Sequence, residues 1–171
     1  MIHEITGEER MKVYIGGPMF EASDILYNRM LRDLLLENGF EIYCPNDNEE
    51  INDKSRADIT GERIYEGDIE KLEECNVFLC RVSQDPGTLW EAGYMDCLAK
   101  KVDPEKYYGC IGLATDIRLA TVPNPSKSGV DNQTMYLNQF MIGGLKLSLG
   151  VATTEEELIE KLRKLRSERE A

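Results

Sequence analysis

The chain has 171 residues, 42% hydrophobic and 30% charged, the profile of a globular domain long enough to bury a core. Its 20 Lys and Arg stand against 32 Asp and Glu, a net charge of −12; such a surface repels phosphate backbones, so no nucleic-acid polymer is expected as a partner. No apolar run approaches the roughly 20 residues that span a bilayer, and the polar, acidic stretch Met1–Arg10 lacks the apolar region of a signal peptide. The five cysteines (Cys44, Cys75, Cys80, Cys97 and Cys110) are odd in number and form no CxxC pair. They argue against a disulfide framework or a zinc ribbon and for a cytoplasmic location. The single histidine, His3, lies in the N-terminal stretch. A Ser-His-Asp or Cys-His catalyst and a His-rich metal site are thereby excluded, so chemistry falls to carboxylates, tyrosines and amides.

Residues 1–10 read as an extension, and residues 11–171 as one domain. Val13–Ile15 begins a strand that ends at Gly16-Gly17-Pro18. Ser23–Asn38 reads as a helix with Ser23 as N-cap, Leu26, Met30 and Leu34 at i+4 spacing, and Gly39 as the stop. Phe40–Tyr43 is a second strand, closed by Pro45. Asn46–Thr60 is polar and irregular, long enough for a flap. A helix over Gly61–Glu74 follows, then an apolar strand over Asn76–Val82, as expected when both sheet faces are covered. Thr88–Lys101 is a third helix and Tyr107–Leu113 a fourth strand. Ala114–Asp131 reads as a long loop, Asn132–Ile142 as helical and Leu145–Val151 as a short fifth strand. Thr154 opens the last helix with a capping box to Glu157, and Leu158, Ile159, Leu162 and Leu165 form its apolar stripe.

Strands alternating with helices predict βαβ units and an α/β fold: a flavodoxin-like three-layer sandwich with a five-stranded parallel sheet. In such a sheet the ligand site lies beyond the carboxyl ends of the strands, where the strand order switches.

Four side chains near those ends could carry chemistry. Gly16-Gly17-Pro18 is neither a dinucleotide fingerprint nor a Walker loop. Asp68 falls between Ile64 and Leu72 on the apolar stripe of its helix, a costly place for a charge unless it is paired or faces a cavity. Glu91 shares a face with Met95 and Leu98. It reads either as the partner of Thr88 in a capping box or as an ionised nucleophile in the first helical turn, favoured by the helix dipole. Gly93 would let that helix sit close to the sheet. Asp85, in the preceding loop, could hold a sugar hydroxyl. Tyr14 reads as a core residue or as a phenol reaching the switch point.

Taken in order, Val13-Tyr14-Ile15-Gly16-Gly17-Pro18-Met19-Phe20, Pro45-x-Asp47-Asn48, Gly67-Asp68-Ile69, Asp85-x-Gly87-x-x-x-Glu91-x-Gly93 and Tyr136-Leu137-Asn138 resemble the nucleoside 2-deoxyribosyltransferases. The resemblance continues through Gly143 and Ser148-Leu149-Gly150 and spans Met11 to about Leu162. It implies transfer of a deoxyribosyl group between nucleobases in nucleotide salvage, with a deoxynucleoside and a free nucleobase as partners and no cofactor or metal. It implies Glu91 as nucleophile at C1′, Asp68 for proton transfer or hydrogen bonding at the base, and Tyr14 hydrogen-bonding and orienting Glu91. Asp85 would bind a sugar hydroxyl, Phe20 would pack on the base, and Asn48 and Glu49 would also bind the substrate. Asn138 would act in trans on the 5′-hydroxyl, which makes a homo-oligomer the expected form. Glu49 stands where some members carry a base-reading Gln, and a carboxylate accepts hydrogen bonds without donating unless protonated. The C-terminal helix runs past the point where some members end in a carboxylate near the site, a contribution expected to be missing here.

Two other readings differ in acceptor or in chemistry. An N-glycoside hydrolase of deoxynucleosides or their 5′-monophosphates would use the same Glu91. A non-catalytic nucleoside-binding domain would keep the fold and the ligand without turnover.

Overall fold

A computed structural model describes residues 10–53, 55–116, 126 and 137–170, with the side chains of Glu50 and Ile51 excepted. The expected extension therefore lies outside the described residues, apart from Arg10.

Five parallel strands form one sheet in the order β2-β1-β3-β4-β5. They are β1 (Lys12–Gly16), β2 (Glu41–Tyr43), β3 (Val77–Arg81), β4 (Gly109–Leu113) and β5 (Val151–Ala152). This is the flavodoxin-like order, with its switch between β1 and β3. The helices are α1 (Ala22–Glu37), α2 (Glu49–Asn52), α3 (Gly61–Glu73), α4 (Pro86–Cys97), α5 (Gln139–Lys146) and α6 (Glu155–Arg169). A wider π turn, Leu98–Val102, continues α4.

The strand pleat sorts the core into two layers. Val13, Ile15, Val77, Leu79, Ile111 and Leu113 face α1 and α6. Tyr14, Phe78, Cys80 and Cys110 point the other way, toward α3, α4 and α5. The near-continuous apolar strands of the sequence thus serve two cores. Full burial of a leucine such as Leu35 or Leu162 contributes roughly 1.5–3 kcal/mol. All five cysteines are free thiols; four are buried and Cys97 is exposed.

Several expectations need correction. Helix α1 starts after Glu21, which makes no side-chain cap, so Ser23 lies inside the first turn. Its inward face is Asn28, Leu31 and Leu35, while Leu26 is 73% exposed and Met30 44% exposed. The i+4 row through Leu26 and Met30 thus runs beside the true buried row, and Leu34 alone of its residues packs on the core. Gly39 holds φ +78°, the left-handed stop expected of it. The stretch expected to be an irregular flap contains a 3₁₀ turn, Pro45–Asp47, and the short α2. The helix expected over Asn132–Ile142 is seen as α5, starting at Gln139; residues 131–136 lie outside the described set. Leu145 lies in the last turn of that helix, which ends at Lys146, rather than opening a strand, and β5 is only two residues long. Most of the expected Ala114–Asp131 loop lies outside the described residues. In α6 the capping box forms, with Thr154 accepting from the Glu157 N–H. No helix among the described residues is long and apolar enough to cross a membrane.

Candidate active site

The segments leaving β1 and β2 meet the amino-terminal part of α4 and one side of α3 around a hollow of about 280 Å³. Of the residues singled out in the sequence, Tyr14, Phe20, Asp68, Asp85 and Glu91 line it. Three carboxylates therefore share one cavity at the switch point. Met19, Phe20, Pro45 and Ile64 add its apolar wall.

Glu91 reaches the cavity because α4 begins earlier than the capping-box reading requires. Pro86 occupies the first helical position, where a missing N–H is harmless, and Asp85 becomes the N-cap. The Asp85 carboxylate accepts from the Thr88 N–H at 2.7 Å and the Thr88 hydroxyl at 2.8 Å. Glu91 is thereby released from capping and stands in the second turn, beyond the strongest influence of the dipole. It accepts a 2.7 Å hydrogen bond from the Tyr14 hydroxyl.

Tyr14 is fully buried, its ring 5.0 Å from Tyr43 and 5.5 Å from Phe78. Burial, followed by the nearby Glu91 and Asp68 charges, pushes its phenol far above the usual value, so it remains a neutral donor. Burial also pushes the Glu91 carboxyl up, to about 7. The Tyr14 hydrogen bond opposes that rise, and repulsion from Asp68 and Asp85 adds to it. A carboxyl that titrates near neutrality in a cavity is a candidate for catalysis. Asp68 sits half-buried on α3, one turn from Ile64.

The backbone at the mouth admits no larger residue. A Cβ on Gly16 would lie 2.0 Å from the Phe78 ring, and one on Gly17 would lie 2.8 Å from Cβ of Arg81. Gly93 has another role than expected: it is exposed, and a Cβ there would meet nothing within 4 Å.

The remaining sequence-derived residues do not line this cavity. Asn48 stands behind it and donates to the Tyr43 hydroxyl at 3.0 Å. Glu49 is exposed on α2. Asn138 caps α5, its Oδ1 accepting from the Phe140 and Met141 N–H groups. It borders a second hollow between α4 and α5, beside Gly93, Phe140 and Met141. Sequence reasoning missed Asn52, which lines the first cavity and donates to the Pro45 carbonyl at 2.8 Å. A four-residue helix has no apolar periodicity to reveal it; the only signal was an Asn four residues after Asn48.

No curated protein matches the chain. Among solved structures it is similar to a conserved protein from Enterococcus faecalis V583, at 26% identity and TM-score 0.73, covering 91% of this chain and 99% of that one. It is similar in fold to a 2-deoxyribosyltransferase from Bacillus psychrosaccharolyticus, at 14% identity and TM-score 0.57, covering 86% and 90% of the two chains. The CMP N-glycosidase of Clostridium botulinum follows at 17% identity and TM-score 0.50, covering 90% and 98%. Residues 13–139, most of the chain, match the family described as nucleoside 2-deoxyribosyltransferase. The protein belongs to the nucleoside 2-deoxyribosyltransferase family.

Proposed function

We propose that the protein transfers a 2-deoxyribosyl group between nucleobases by a retaining double displacement. The observation that carries this reading is the buried Tyr14–Glu91 pair facing a cavity with two further carboxylates. Ionised Glu91 attacks C1′ through an oxocarbenium-like transition state, and the C1′–N bond breaks. The bonding pair leaves with the base, which takes a proton from Asp68. A second base then attacks C1′ of the deoxyribosyl–Glu91 ester through its ring nitrogen; the C1′–O bond breaks, its electron pair regenerates the Glu91 carboxylate, and the proton of the incoming nitrogen returns to Asp68. Tyr14 holds the attacking oxygen in place, since a buried phenol this close has little freedom to move.

Asp85 binds a sugar hydroxyl while its other bonds cap α4, and Phe20 covers the base. Asn48, behind the cavity, steadies Tyr43 through its 3.0 Å bond. Asn138, turned toward the second hollow, acts on the 5′-hydroxyl in a neighbouring copy, so the active form is a cytoplasmic homo-oligomer. Among the described lining residues there is no Lys or Arg to hold a phosphate, which favours nucleosides over 5′-monophosphates.

Fold likeness to a CMP N-glycosidase supports a second reading, hydrolysis through the same Glu91. One experiment separates the two. Purified protein is incubated with deoxyinosine, with and without adenine, and with thymidine as a second donor; products are followed by chromatography. New deoxynucleoside formed only with the added base supports transfer. Free base released equally without an acceptor supports hydrolysis. Binding of a deoxynucleoside without turnover of either donor would overturn both.

A further inference from the structure

Behind the wall formed by Met19 and Phe20 lies a polar cluster that the proposed chemistry does not use. Asn28 on α1 is 2% exposed, one of two buried polar side chains among the described residues. Its Nδ2 donates to the Pro18 carbonyl at 3.1 Å and to Asn46 Oδ1 at 2.7 Å. Asn46 in turn donates from Nδ2 to the Met19 carbonyl at 3.1 Å. Arg81, at the end of β3, donates to Asn28 Oδ1 at 2.7 Å and to the Pro18 carbonyl at 3.2 Å. Asp24 pairs with that guanidinium at 3.2 Å, and the Tyr27 ring lies 4.6 Å from it.

The polarity of this cluster has a single origin. A guanidinium only donates, so Asn28 must turn its oxygen toward Arg81. Its NH₂ then faces Pro18 and Asn46, which forces the Asn46 oxygen inward and the Asn46 NH₂ onto the Met19 carbonyl. The carbonyls of two consecutive residues, Pro18 and Met19, are thus held by a chain of donors ordered by one cation. Asn46 also follows Pro45, which lies on the cavity wall after β2. The Asn46–Met19 bond therefore ties together the two segments that border the apolar end of the cavity, and Asn28, bonded to both Pro18 and Asn46, bridges them a second time and fixes the gap.

We propose that Arg81, Asn28 and Asn46 are positioning residues that set the width of the nucleobase pocket, and with it the discrimination between purine and pyrimidine. This role rests on the functional reading above. A buried amide bonded at both its oxygen and its nitrogen, as Asn28 is, holds a gap more narrowly than apolar packing does, because turning it over leaves polar groups unsatisfied.

Asn46→Asp tests the idea with almost no change in size. Its carboxylate still accepts from Asn28, yet it faces the Met19 carbonyl with an oxygen that cannot donate. Asn46→Ala, which removes both bonds, is the second variant. Wild type and variants are compared by circular dichroism, thermal unfolding and steady-state kinetics with deoxyinosine and thymidine. We expect KM for the preferred donor to rise about tenfold, the worth of one lost hydrogen bond, with kcat within about threefold. The ratio of kcat/KM between the two donors should move toward one. A merely structural role would lower the melting temperature and the active fraction and leave KM and the ratio unchanged; that outcome overturns the inference while wild-type turnover upholds the function. Absence of turnover and of nucleoside binding in the wild type would instead overturn the functional reading, and this role with it.

Discussion

Helix α4 has a hollow on each side, and the two are equal in size at about 280 Å³. Their linings are opposite in character. The first gathers Asp68, Asp85 and Glu91, with a buried tyrosine bonded to one of them. The second is walled by Leu89, Ala92, Met141 and Leu145, with Asn138 beside it and Phe140 94% exposed. The first cavity carries its own proton donors and acceptors. The second is a largely apolar recess whose polar side chains are the Asn138 amide, the Asp96 carboxylate and the Cys110 thiol, the composition of a surface that works against another molecule. Under the proposed function, one helix separates the chemistry from the assembly.

The sharpest way to break that contrast is at Glu91. Glu91→Ala should lower kcat/KM for transfer by about 10⁴-fold or more, as for other lost nucleophiles, measured by product chromatography on a variant of unchanged circular dichroism. Glu91→Gln carries a stability signature as well. The folded carboxyl titrates at about 7 against its ordinary 4.5. A raised carboxyl adds nothing unfavourable below 4.5 and costs stability as the pH rises through 7. Denaturant unfolding should therefore find the Gln variant level with the wild type below pH 4.5. Above pH 7 it should be more stable, by up to about 3 kcal/mol.

Asn138→Ala should act more weakly, lowering kcat/KM by about 10- to 100-fold, the range for one lost contact to a reacting substrate. Mixing it with Glu91→Ala subunits should restore part of the activity, because a mixed assembly holds one intact site. Activity that stays at the sum of the two variants would remove the second hollow from catalysis. Tyr14→Phe should lower kcat about tenfold, typical of a lost charge-assisted hydrogen bond. Because that bond holds the Glu91 value down, the acid limb of the pH–rate profile should move to higher pH. A downward shift would contradict the arrangement seen here. Glu49→Gln should have the smallest effect, within about threefold in kcat/KM for either donor, since the side chain is exposed and off the cavity wall.

The sheet was legible because buried parallel strands advertise themselves as continuous apolar runs, as Val77–Arg81 does. Asp68 and Glu91 were legible for the opposite reason, as charges on apolar helix faces. What escaped the sequence were choices between nearly equal local options. Thr88 and Asp85 can each cap a helix, and the proline after Asp85 decides for the earlier start. Leu26–Met30–Leu34 and Asn28–Leu31–Leu35 both repeat like a helix face, and a buried asparagine marks the inward one. Periodicity counts apolar residues, so it passes over Asn28, whose value lies in the bonds it makes after folding.

The thiols offer a use unconnected with catalysis. Burial pushes Cys75 and Cys80 up to about 12 and raises Cys44 and Cys110 as well, so their reactive thiolate forms are scarce in the folded chain. Cys97 is exposed. An alkylating reagent should modify Cys97 at once and the others only when the surrounding structure opens. Cys44 lies just past the edge strand β2, and Cys80 lies within β3, between β1 and β4. The order in which the masked thiols react would then separate fraying of the sheet edge from rupture of its centre, with no label added to the protein.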